Sequence, residues 1–139
     1  MPASRILYDY ALRFVGTNYK WGGSNPISGF DCSGFAQEVL ASEGWDPIGD
    51  QSAQALHDTL KPKSLSNQVG LGALVFYGLN DKSITHVEVM LSDLHTIGAN
   101  GGGSKVVDAK SADQFNAFIR VRKLGHRKDI VAILMPNYD

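Results

Sequence analysis

Thiols are nearly absent from this sequence: Cys32 is its single cysteine. A lone cysteine cannot close an intramolecular disulfide, so a disulfide-stapled scaffold is excluded. Long apolar runs are missing too. No stretch approaches the ~18 residues a membrane span needs. The opening MPASRILYDYALRF has no basic leader followed by an uninterrupted apolar segment, so no secretory signal is expected and the membrane is not a partner. No Cys/His cluster falls at zinc spacing, so no structural metal site is expected. An excess of positive charge is also lacking. The formal net charge is -1, whereas binding to phosphate backbones demands clustered cations. The one basic stretch, RVRKLGHRK at residues 120–128, reads as a solvated strand end and loop rather than a nucleic-acid patch.

What remains is the composition of an ordinary globular protein, 43% hydrophobic and 19% charged, expected to form one domain over residues 1–139. Residues 4–15 read as a helix with Leu7, Tyr10, Ala11 and Phe14 on one face, Ser4 as cap and Gly16 as stop. TNYKWGGSNPISGFD has loop chemistry, although Tyr19 and Trp21 are large residues for a mobile loop. A second helix is expected from Cys32 to Glu43, with Phe35, Ala36, Val39 and Leu40 inward. A third begins at Asp50 and is cut off by Pro62. The period then changes. Strands are expected at ALVFY (73–77), THVEVML (85–91), LHTIGA (94–99), KVVDA (105–109), FIRVR (118–122) and IVAIL (130–134). Helices first and antiparallel strands later predict an α+β fold, with the helices on one side of a strongly twisted sheet.

Cys32 lies in the first turn of its predicted helix, where unpaired N–H groups and the helix dipole favour an anion, hence a thiolate. A nucleophilic thiolate needs a proton acceptor, usually His. His57, with Gln54, Asp58 and Lys61 around it, reads as a solvated helix face. His126 falls in a polar turn and His95 beside a hairpin turn. His86 begins an otherwise hydrophobic strand, on a sheet that must pack against the Cys32 helix. It is the best base candidate, with a buried structural role as the alternative.

YKWGG (19–23), DCSGF (31–35), GALVFY (72–77) and THVEVML (85–91) occur in the order and spacing of an NlpC/P60 domain. The sequence resembles that papain-like cysteine peptidase family over nearly its whole length, and its ending looks most like the phage-encoded branch. The resemblance implies an endopeptidase acting on peptidoglycan stem peptides, at the bond between the γ-carboxyl of D-glutamate and the diamino acid, with no metal or organic cofactor. It implies Cys32 as nucleophile, His86 as general base and Tyr19 as the hydroxyl near the nucleophile. Asp31 and Ser33 would hold the amine of the N-terminal L-alanine, or else cap the helix, and Trp21 would contact substrate. The protein would act at the bacterial cell wall after cytoplasmic synthesis, delivered by a phage or a partner. A catalytically weak or inactive module that binds wall peptides, or serves as a phage structural component, is the alternative.

One position departs from the family. A polar residue usually stands twelve positions after the base to orient the imidazole, and here that position is Gly98. If His86 faces Gly98 across a hairpin, Thr96 and Asn100 share its face. His95 does not, and a one-residue slip would leave it ~13 Å away along the strand. Asn100 or an ordered water is therefore expected on the second ring nitrogen, with loss of activity as a third option.

Overall fold

The computed structural model describes residues 3–25, 29–47, 49–100, 108–115 and 117–138. In chain order the elements are α1 (Arg5–Leu12), β1 (Ser24–Asn25), β2 (Gly29–Phe30), α2 (Cys32–Ala41), α3 (Ala53–Leu60), β3 (Ser64–Ser66), β4 (Leu74–Gly78), β5 (Ile84–Met90), β6 (His95–Asn100), α4 (Ala109–Phe115), β7 (Phe118–Lys123) and β8 (Ile130–Pro136). The last six strands named β3 to β8 form one antiparallel sheet in the order β3-β8-β4-β5-β6-β7, and β1 pairs with β2 as a separate ribbon. The fold is α+β, as the switch of hydrophobic period predicts.

The main core lies between the sheet and the helices. Leu7 and Ala11 of α1, Phe35, Val39 and Leu40 of α2, and Leu56 and Leu60 of α3 meet Leu74, Phe76, Val87, Val89 and Ile97 of the sheet. These are the alternate residues of each strand, so one face is apolar and turned to the helices. A smaller cluster of Val75, Tyr77, Met90 and Met135 occupies the other face. The segment after β7 folds back toward it, with the Leu124 N–H donating to the Leu94 carbonyl at 2.8 Å. α2 packs on β5 and β6, and α3 on β5.

Several elements differ from expectation. α4 was not expected, and the strand predicted over 105–109 is not one at its end: Asp108 is a bend and Ala109 starts the helix, while 105–107 lie outside the described residues. α3 starts at Ala53 rather than Asp50, because the Ser52 side chain accepts from the Ala55 N–H and fixes the cap there. Ser4 stands at the head of α1 without a side-chain bond to it; its hydroxyl and N–H turn to Glu43 instead. His57 is buried, not solvated. It stands at Ala53 + 4 on the inward stripe of α3 and meets the Phe76 ring edge-on at 5.2 Å.

The described residues on either side of 26–28, before α2, are stitched to the rest of the fold. Tyr19 N–H donates to Ala117, Lys20 N–H to Phe30, and Asp31 N–H to the Gly23 carbonyl, all at 2.8–2.9 Å. Phe14, Phe30 and Phe35 pack edge-to-face with centroids 5.5–6.0 Å apart, tying the turn after α1 to β2 and α2. Gly34 lets the loop close over the helix: a Cβ there would stand 2.2 Å from the Gly23 carbonyl oxygen. Helix propensity alone favours Ala over Gly by ~1 kcal/mol. The clash is with backbone, so Gly34→Ala is expected to destabilise by roughly 1–3 kcal/mol instead. Urea unfolding reads the sign, and a more stable variant would contradict this packing.

Candidate functional site

Asp31 is the N-cap of α2, in extended conformation, and its Oδ1 accepts from the Gly34 N–H at 2.6 Å. The Ser33 hydroxyl donates to the same oxygen at 3.3 Å. The helix-cap reading of these two residues therefore describes their contacts. Burial raises the Asp31 carboxyl above the usual range and the Asp50 carboxylate adds to the rise, while the Gly34 N–H opposes it. The cap leaves Cys32, the first residue of α2, half-buried at a cleft lined by Tyr19, Trp21, Asp31, Ser33, Asp50 and Thr85. Tyr19 is buried and Trp21 is 57% exposed. Burial, then the nearby Cys32 and Asp31, hold the Tyr19 phenol protonated. Asp50 makes this end of the cleft doubly acidic, which its sequence context did not signal.

His86 enters from β5. Between Tyr77↔His86 and Gly78↔Ile84 the β4–β5 register shifts, so Thr85 is an extra residue immediately before the imidazole. Such a bulge bends the strand and re-aims its side chains. The start of β5 is anchored to α3, where Gln54 Oε1 accepts from the Ile84 N–H at 2.8 Å. His86 is buried, with Cys32 close enough on one side to interact electrostatically with the ring. On the other, its Nε2 donates to Glu88 Oε2 at 2.9 Å. An ionised carboxylate only accepts, so Nε2 carries a proton and the other ring nitrogen is left for Cys32. Burial works against the imidazolium, but the interactions with Cys32 and Glu88 outweigh it and raise His86 to about 9.

Asn100 is not the partner of the imidazole. Its Nδ2 donates to the Gly98 carbonyl at 3.0 Å. The expected face parity of Thr96, Gly98 and Asn100 is present, but the pairing lies two residues along. Val89 pairs with Ile97 and Met90 with Thr96, which puts Glu88 opposite Gly98. Glu88, two residues from His86 on the same strand, fills the room at Gly98. The signal was present in THVEVML, where His86, Glu88 and Met90 share a face. A carboxylate inside a buried strand is uncommon unless paired.

Glu88 is fully engaged. Its Oε1 accepts from Thr96 Oγ1 at 2.7 Å, Tyr77 Oη at 3.1 Å and His126 Nε2 at 2.9 Å. Burial would raise its carboxyl, but His86, then His126 and Thr96, hold it well below the usual range. His126 is thus no bystander in a surface turn: the backbone folds back after β7 and brings it onto the carboxylate. His95 is exposed, with Nδ1 near the Ser92 hydroxyl at 3.2 Å, and makes no contact with His86. Among the described residues no group of three or more His, Cys, Asp or Glu side chains is arranged to hold a metal ion.

An α+β domain with a thiol at a helix start, facing an imidazole on the adjoining sheet, is the class this geometry defines. The chain matches the NlpC/P60 family over residues 16–123 and belongs to it. It is 36% identical over 117 residues to the bifunctional muramidase/DL-endopeptidase CwlT of Bacillus subtilis (strain 168), an alignment covering 81% of this chain and 35% of CwlT. The chain spans about a third of the length of the first curated relatives it matches. Its fold resembles the NlpC/p60 domain of the peptidoglycan hydrolase SagA, with TM-score 0.69 and 22% identity over 94% of this chain and 96% of that one. It also resembles RipD from Mycobacterium tuberculosis, described as a non-catalytic NlpC/p60 domain protein adapted to peptidoglycan binding, with TM-score 0.67 and 17% identity over 96% and 95% of the two chains.

The depressed Glu88 carboxyl makes stability depend on acid. Its contribution is complete above the ordinary Glu range, about pH 4.5, and is lost as pH falls further toward the folded-state value. Unfolding free energy measured between about pH 5 and pH 3 should fall more steeply for the parent than for Glu88→Gln. Equal slopes would mean the carboxylate is not held ionised by these donors.

Proposed function

We propose that the protein is a cysteine endopeptidase of bacterial peptidoglycan, cleaving stem peptides at the γ-D-glutamyl–diamino acid bond. The observation that carries this reading is the Cys32 thiol at the head of α2, open to a cleft and coupled electrostatically to the buried imidazole of His86. The relation to CwlT, whose name records a DL-endopeptidase, supports the substrate class. The Cys32 thiolate attacks the scissile carbonyl carbon, and backbone N–H groups at the start of α2 with the Tyr19 hydroxyl stabilise the oxyanion. His86, already protonated, donates its proton to the departing amine of the diamino acid. It then takes a proton from water, which attacks the thioester and releases the glutamyl carboxylate and the free thiol. Asp31 and Asp50, side by side at the cleft, suit the ammonium of an N-terminal L-alanine, and Trp21 offers an exposed ring over the same space. The site of action is the cell wall. No helix among the described residues is long and apolar enough to cross a membrane.

A second reading is a weak or inactive module that binds wall peptides, favoured by the fold likeness to the non-catalytic RipD. Thiol chemistry separates the two. A working pair alkylates rapidly at neutral pH, and an inert thiol does not.

Cys32→Ala and His86→Ala are each expected to abolish release of fragments from purified peptidoglycan, read by mass spectrometry, with the double variant little worse than either because the pair acts as a unit. Near-parental turnover in Cys32→Ala would refute the nucleophile. Acylating the N-terminus of a stem peptide should weaken cleavage by the worth of one charge-assisted contact, ~1.5–3 kcal/mol, or roughly 10- to 150-fold. Equal rates on free and blocked peptides would leave Asp31 as a helix cap only.

A further inference from the structure

Glu88 has no place in the two-residue chemistry above, yet its side chain is wholly buried and held by four other side chains. Its donors come from separate elements: Tyr77 from β4, His86 from its own strand, Thr96 from β6, and His126 from the segment between β7 and β8. Packing does not call for a carboxylate here, because an apolar side chain fills such a site at less cost in desolvation. The space is specific as well. A Cβ on Gly98 would stand 2.7 Å from Glu88 Cγ, so a side chain at 98 and the glutamate at 88 exclude one another.

We infer that Glu88 is the positioning residue for His86, reaching the imidazole along His86's own strand into the space that Gly98 leaves, with His126 gripping the carboxylate from behind. This rests on the reading of Cys32 and His86 as a working pair. The carboxylate fixes which ring nitrogen carries the proton, fixes the ring plane against Cys32, and offsets the imidazolium charge. His126 donates to both carboxylate oxygens, at 2.9 and 3.1 Å, and so fixes the carboxylate plane. The absence of a polar side chain at residue 98 is then a relocation of the orienting group rather than its loss.

The test is Glu88→Gln, which keeps shape and can still accept from Nε2 but carries no charge. Two readouts are needed. On peptidoglycan fragments, kcat should fall roughly 10- to 100-fold with KM within about twofold, less than the ~10⁴-fold loss in a serine triad, because a thiolate is nucleophilic without a base at the moment of attack. Without any wall substrate, the alkaline inflection in the pH profile of Cys32 alkylation by iodoacetamide, which marks loss of the His86 proton, should lie at lower pH than in the parent. The other groups facing His86 are Cys32, the Tyr77 ring and the Asp129 carboxylate. Those around Glu88 are Tyr77, Thr96, His126 and Arg127, with Arg120 beyond Gly98 in register. All of these are unchanged in Glu88→Gln.

A variant that stays folded with the parental kcat and alkylation profile overturns the inference. A shifted profile in a protein that releases no wall fragment supports the positioning role and sinks the substrate assignment alone. Exchange of the two residues, Glu88→Gly with Gly98→Glu, supplies the rescue and decides the matter should Glu88→Gln not fold. Returning the carboxylate from the opposite strand should recover much of the kcat lost in Glu88→Gly. A folded exchange variant no better than Glu88→Gly counts against the role.

Discussion

A buried imidazole holds a proton only when its neighbours supply the opposite charge. His86 has a sulfur on one side and a carboxylate on the other, and both are there because of backbone features some distance away. The carboxylate in turn tolerates burial only because every donor around it is aimed inward. Remove the sheet register that sets Glu88 against Gly98, or the return of the chain after β7 that brings His126, and the imidazolium loses its support. Much of the sheet's polar face is organised around this one chain of hydrogen bonds.

The other half of the site depends on a close backbone approach. The Gly23 carbonyl accepts from Asp31 and lies over Gly34, while Asp31 caps α2 through the Gly34 N–H. Two sequence elements about ten residues apart, YKWGG and DCSG, are thereby one structural unit. That unit fixes Cys32 at the first turn and sets Tyr19 beside it. The extra residue at Thr85 and the Gln54 anchor on Ile84 do the same service for His86 from the sheet.

Most of the architecture was legible because the hydrophobic period changes once, from helical spacing to alternation, and because glycines and prolines punctuate it. α4 was missed because AKSADQF is mostly polar and offers no clear apolar stripe, so it reads as loop. His57 and His126 were misread for a shared reason. Each sits among polar neighbours in sequence, and burial is decided in three dimensions, by the inward stripe of α3 for one and by a returning loop for the other. Asn100 did not fail on position: the pairing that sets Glu88 opposite Gly98 continues to His86 opposite Asn100, but the Asn100 amide turns to the Gly98 carbonyl and Glu88 takes the ring nitrogen. Parity correctly named the residues of one face, but a shift of two keeps parity and changes every pair. Glu88 was visible on that face all along. Only the spatial pairing with an unoccupied glycine position gives it a task.

The site depends on His86 being held as an imidazolium between Cys32 and Glu88. An NMR titration of the four histidine rings, following ring nitrogen shifts across neutral and alkaline pH, measures this directly. The structure predicts that His86 loses its proton near pH 9, far above an ordinary histidine at about 6.5. A His86 ring that titrates at or below the ordinary value would contradict the account, since burial would then have won over the thiol and the carboxylate.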